Sequence, residues 1–109
     1  MRSEVRVTPA MTVLTLHGDL DMATVDELRQ LLDEAVATSS PAIVVELGDV
    51  TFVDLVSLSS ILAAADLARE DGRTLTVTGA SMAVRRLCAL LNADDVLSAP
   101  VPVPRVSRG

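Results

Sequence analysis

The chain has 109 residues, half of them apolar, which favours a single folded domain over disorder. Phe52 is the only aromatic residue, so there is no stacking platform for nucleic-acid bases or sugars. Fifteen acids against nine bases, all Arg, give a formal charge of −6, and a phosphate backbone would repel it.

Cys88 is the sole cysteine, which excludes an internal disulfide and fits a reducing compartment. Met1-Arg2-Ser3-Glu4 lacks the apolar run of a secretory signal. Leu55 to Ala65 is apolar but contains three Ser and stops at Asp66, too short and polar to insert in a bilayer. A cytoplasmic protein is expected.

Glu4 to Thr8 sets Val5 and Val7 on one face of a strand. Pro9-Ala10 turns the chain, and Met11, Val13, Leu14 and Leu16 form a second strand that reaches His17-Gly18, completing a hairpin. Thr24-Val25-Asp26-Glu27 matches a capping box, and Leu28, Leu31, Leu32, Ala35 and Val36 follow at helical spacing to near Thr38. The β-branched run Ala42-Ile43-Val44-Val45 predicts a central strand buried on both faces, broken by Gly48-Asp49.

Asp54 is the expected N-cap of a helix from about Leu55 to Asp71, closed by Gly72 in the left-handed conformation. Leu75, Val77 and Thr78 give a fourth strand. Ser81 caps a third helix with the stripe Val84, Leu87, Cys88 and Leu91, and Asn92 stops it. Residues 1–98 form the domain, and Pro100, Pro102 and Pro104 make 99–109 a flexible tail. The order β-β-α-β-α-β-α predicts an α/β fold with a mixed sheet and helices packed on it.

The inventory does not support catalysis. His17 is the only His, at a strand end with no Ser tied to it, and Cys88 lies on an apolar stripe where a thiol acts as a small hydrophobe. One His and one Cys cannot close a zinc site, although carboxylates are able to bind Mg²⁺ weakly. Asp19-Leu20-Asp21 lacks the loop of a Ca²⁺ site, and the glycines are too scattered to cradle phosphate. No catalytic residue, metal site or cofactor is expected.

The second helix carries two apolar stripes. Leu55, Leu58, Leu62 and Ala65, with Ile61 and Ala68, are expected to face the core. Val56, Ser60, Ala63 and Leu67 recur at i, i+4, i+7 and i+11 on a strip where charge would be usual. Such a strip either contacts a partner or is covered by another element, such as the third helix or the tail.

Three segments together resemble the STAS domain, shared by bacterial anti-sigma factor antagonists and sulfate-transporter tails. Leu16-His17-Gly18-Asp19-Leu20-Asp21-Met22-Ala23-Thr24 is similar to that family's Gly-Glu-Leu-Asp loop. Val44-Val45-Glu46-Leu47-Gly48-Asp49-Val50-Thr51-Phe52-Val53-Asp54 resembles its central strand and the turn into its second helix. Ser81-Met82-Ala83-Val84-Arg85-Arg86-Leu87 is similar to its Ser-Pro-Ala-Val-Arg-Arg stretch. The likeness runs over roughly residues 4 to 97.

The resemblance implies a STAS-like fold and a regulatory role in binding a kinase-like anti-sigma factor or a related ATPase-fold regulatory protein. It places Asp21 and Asp54 near the partner surface. In such antagonists the partner phosphorylates a Ser just after the junction Asp, and phosphorylation ends the complex. Here the two hydroxyl positions are Leu55 and Val56, and the family's Gly positions are Ser57 and Ser59. Three readings stay open: a binder without the switch, a shifted acceptor at Ser57, or Leu55 and Val56 as core filling. The resemblance also admits an accessory subunit of a membrane transport ATPase, or a small-ligand or nucleotide-binding STAS domain. The expected partner-binding residues are Asp21, Asp54, Val56, Ser57, Ser60, Ala63 and Leu67.

Overall fold

A computed structural model describes residues 1–97. The expected tail, 99–109, lies outside them. Strands β1 (Arg2–Val7) and β2 (Met11–Leu20) form the expected hairpin, with Thr8 N–H donating to the Met11 carbonyl at 2.8 Å. Then follow α1 (Val25–Ala37), β3 (Ala42–Val53), α2 (Leu55–Glu70), β4 (Thr74–Thr78) and α3 (Met82–Leu90), in the order read from the sequence. A 3₁₀ turn at Asp94–Val96, not anticipated, brings Leu97 into a parallel bridge with Val77.

The sheet has strand order β1-β2-β3-β4; β1 pairs antiparallel, and the other pairings are parallel. Each parallel pair joins neighbouring strands through one helix. Crossovers of one hand advancing in one direction set both helices on the same face. Leu14, Leu16, Ile43, Val45, Leu47, Leu75 and Val77 point into that face and are buried with Leu28 and Leu32 of α1 and Leu58 and Ile61 of α2. Each fully buried Leu or Ile contributes about 1.5–3 kcal/mol.

One-sided cover corrects the reading of β3. Ile43 and Val45 are buried, but Ala42 and Val44 are only half-buried and Glu46 is exposed. Among the described residues the opposite face carries no helix. Gly48-Asp49 does not end the strand either. β3 continues to Val53 beside β2, and the ladder absorbs the irregularity as register shifts between Thr15 and His17 and between Gly18 and Asp19.

Helix ends follow local chemistry at most positions. Asp54 Oδ1 accepts the Ser57 N–H at 2.8 Å, and Ser81 Oγ accepts the Val84 N–H at 3.2 Å. Gly72, at φ +73°, ends α2 with Arg73 N–H on the Ala68 carbonyl and Gly72 N–H on the Arg69 carbonyl. Asn92, at φ 54°, ends α3 in the same pattern on Cys88 and Ala89. The capping box is absent: the Thr24 hydroxyl turns back to accept the Asp21 N–H at 3.0 Å and makes no cap on α1. That loop is already closed by an Asp21 turn, with Ala23 N–H on Asp21 Oδ1 at 3.0 Å. In α3, Val84 and Cys88 are buried, Leu87 is half-buried, and Leu91 is exposed because the helix has ended before it.

Candidate functional site

β2 and β3 run parallel, so their carboxyl ends open on one edge of the sheet. Loops following such ends are the usual place for binding residues. The Asp54 N–H donates to the Leu20 carbonyl at 2.9 Å, which ties the loop after β2 to the start of α2. Asp54 is therefore fixed twice, by its backbone to β2 and by its carboxylate to the first turn of α2. Asp21 lies in the adjoining loop, its carboxylate folded onto its own turn. Nearby, Thr51 Oγ1 donates to Asp19 Oδ1 at 2.5 Å across the two strands.

From this edge a groove of about 520 Å³ runs between α1 and α2. Val56, Ser60, Ala63 and Leu67 line it, as their spacing predicted, with Leu32 and Arg29 of α1 opposite. Val56 is 40% and Leu67 51% exposed, and neither α3 nor any other described element covers the strip. Arg29 Nε donates to Ser60 Oγ at 3.2 Å, and Ser60 Oγ donates to the Val56 carbonyl at 3.0 Å. The groove is thus mostly apolar, with one guanidinium and the Asp33 carboxylate on the α1 wall.

Two placements differ from expectation. Leu55 is not in the core; it is 52% exposed and joins the groove. As the first residue of α2 it points back toward the helix N-terminus, past the end of the sheet. Ser57 turns the other way. Its side chain is fully buried beside the core, and its Oγ has no hydrogen-bond partner among the described residues. Ser57 therefore lies outside the strip formed by Val56, Ser60, Ala63 and Leu67, with no hydroxyl presented to an approaching enzyme.

Phe52, near the end of β3, is 54% exposed, and Met22, in the loop after β2, is 68% exposed. Sequence reasoning singled out neither as a contact residue. An unpaired aromatic side chain beside the junction was the available signal for Phe52.

His17 sits elsewhere, on the uncovered sheet face, with Nδ1 3.1 Å from Asp49 Oδ2. Cys88 is buried in the core, and burial pushes its thiol pKa up; Asp94 adds to this and Arg85 opposes it. Among the described residues no group of His, Cys, Asp or Glu is arranged to hold a metal ion. No helix among them is long and apolar enough to cross a membrane. What this surface offers is contact area: apolar side chains on a rigid helix, rimmed by fixed carboxylates.

A family model described as the Mlab STAS domain matches residues 3–99. The chain belongs to the STAS-domain family. The fold of this STAS domain is similar to that of the anti-sigma factor antagonist SpoIIAA of Bacillus in its unphosphorylated form, with TM-score 0.77 and 16% identity over 93% of this chain and 90% of that one. An anti-sigma factor antagonist from Mycobacterium paratuberculosis is similar at TM-score 0.75 and 27% identity, over 93% of this chain and 86% of the other. A sulfate transporter family protein from Wolinella succinogenes is similar at TM-score 0.65 and 15% identity, over 85% and 76%. No curated protein sequence matches the chain. The STAS domain thus has the mixed sheet and helices expected from its sequence.

Proposed function

We propose that this STAS domain is a regulatory protein-binding module of the anti-sigma factor antagonist type, and that it engages a kinase-like anti-sigma factor without the phosphorylation switch. The observation that carries the reading is the exposed apolar pair Leu55 and Val56 at the start of α2, opening the α1–α2 groove. The similarity to antagonists, including one at 27% identity, supports the partner class.

The switch is missing for a chemical reason. By family resemblance the acceptor hydroxyls belong at Leu55 and Val56, and both side chains are solvent-facing here. A phosphate at a helix N-terminus adds about −1.5 to −2 charge beside free backbone N–H groups. In an interface that charge would be desolvated against the partner and would release it. Leu and Val have no atom to phosphorylate, and the contact they make is apolar and constant. Ser57, the remaining candidate, is buried.

The test mixes the protein with a purified kinase-like anti-sigma factor and ATP. Calorimetry is expected to detect a complex that ATP does not dissolve, with no phosphate incorporated. L55S and V56S each return an exposed hydroxyl to this surface, and at least one is expected to gain phosphate. Phosphate on Ser57 of the unaltered chain, or no complex, would sink the reading.

A second reading keeps the groove and changes the partner to an ATPase subunit of membrane transport machinery. The fold shared with the Wolinella sulfate transporter family protein places such a domain in a membrane-transport protein, without specifying an ATPase. Co-purification with membranes through a complex that V56E disrupts would select it.

A further inference from the structure

Among the described residues β1 is an edge strand, paired with β2 alone. Its ladder runs unbroken from Arg2 opposite His17 to Val7 opposite Thr12. It contains neither proline nor bulge, devices that commonly stop an edge from pairing. The other edge differs, because Leu97 bridges Val77 beside β4.

The side chains of β1 divide by parity. Val5 lies opposite the buried Leu14 and Val7 opposite the buried Thr12, so both valines are on the helix-bearing face. The helices do not reach that far, and the valines are 52% and 56% exposed. Arg2, Glu4 and Arg6 lie on the uncovered face, opposite His17, Thr15 and Val13. Among the described residues none of these three charges is in an ion pair.

We propose that β1 pairs with β1 of a second copy, antiparallel about a two-fold axis at Val5, to form a continuous sheet of eight strands. The charge pattern selects this register. A two-fold axis normal to the sheet keeps each side chain on its face, so the pairing must centre on a residue. Centred on Val5, Glu4 faces Arg6 of the second copy at two symmetric positions, Val5 faces Val5, and Val7 faces Ser3. Centred on Glu4, Glu4 faces Glu4 and Arg2 faces Arg6 twice, all repulsive. Centred on Arg6, that guanidinium faces its own copy. Centred on Ser3, the charges match but Val7 falls beyond the ladder. Charges usually guard an edge; here their order forbids most self-pairings and fits one.

A two-strand contact is smaller than the roughly 1,000 Å² of a stable interface, so the dimer is concentration-dependent. Sedimentation velocity on the full chain between about 10 μM and about 1 mM is expected to shift from monomer toward dimer. R6E sets like charges opposite each other at both positions and is expected to weaken association about tenfold. Adding E4R to R6E restores it, while circular dichroism and thermal midpoint confirm that each variant is folded. A monomer at every concentration overturns the proposal. So does an R6E chain that associates as well as the unaltered one, or a dimer that V56E abolishes, which would move the interface to the α2 groove.

Discussion

Gly79 shows how one residue can be fixed from two directions. Its φ is +70°, and a Cβ there would sit 2.8 Å from the Gly48 nitrogen of β3. Gly72 shares the left-handed backbone but has open space around it. Gly72→Ala is expected to cost about 1 kcal/mol from backbone strain alone. Gly79→Ala adds a backbone clash and is expected to cost about 2–3 kcal/mol or more, read from urea midpoints. Cys88 gives a pH prediction. Its folded pKa is raised, so its contribution to stability is intact below the unfolded value and is lost as pH rises through the folded one. Stability is expected to fall as pH rises past the ordinary thiol range, and Cys88→Ala should flatten that slope in urea titrations. Thiol reagents should label Cys88 only after unfolding.

At the scale of elements, α2 does two jobs on two faces. Leu58, Ile61, Ala65 and Ala68 hold it to the core, while Val56, Ala63 and Leu67 stay at the surface. Val56→Glu and Leu67→Asp should each change stability by no more than about 0.5 kcal/mol, because neither side chain is buried. If the proposed function holds, each weakens partner binding by about 2 kcal/mol or more, measured by calorimetry against the proposed anti-sigma factor partner. A protein that loses both stability and binding would mark the strip as structural. The strip was legible from its spacing. The fates of Leu55 and Ser57 were not, because a residue in the first turn has no preceding turn to fix its environment. Whether it faces core or solvent depends on where the sheet ends.

Across the whole molecule, Arg73 joins elements distant in sequence. Its Nη1 donates to the Thr38 carbonyl at 2.9 Å and its Nη2 to the Val36 carbonyl at 2.6 Å, at the end of α1. α1 has no basic residue in its last turn, so the turn between α2 and β4 supplies the cation that its C-terminus lacks. Beside it, the buried Thr12 hydroxyl bonds Ser40 Oγ at 3.0 Å, and Ser40 Oγ donates to the Thr8 carbonyl at 2.6 Å. Arg73→Met keeps the packing but leaves those carbonyls without their donor. It is expected to destabilise the fold by about 2–3 kcal/mol in urea denaturation, without altering the groove.

The order of elements, the caps at Asp54 and Ser81 and the stops at Gly72 and Asn92 were determined by the sequence itself. Each depends on interactions within a few residues, which the chain carries wherever it goes. The one-sided cover of β3, its passage through Gly48, the Gly79 contact and the Arg73 bonds were decided only by the tertiary structure. They require the direction of the crossovers and the meeting of segments far apart in sequence. The absence of a capping box at Thr24 belongs with them, since the Asp21 turn claimed its hydroxyl first. For the site, sequence periodicity supplied the strip from Val56 to Leu67. The end of the sheet then decided that Leu55 faces outward beside it and that Ser57 does not.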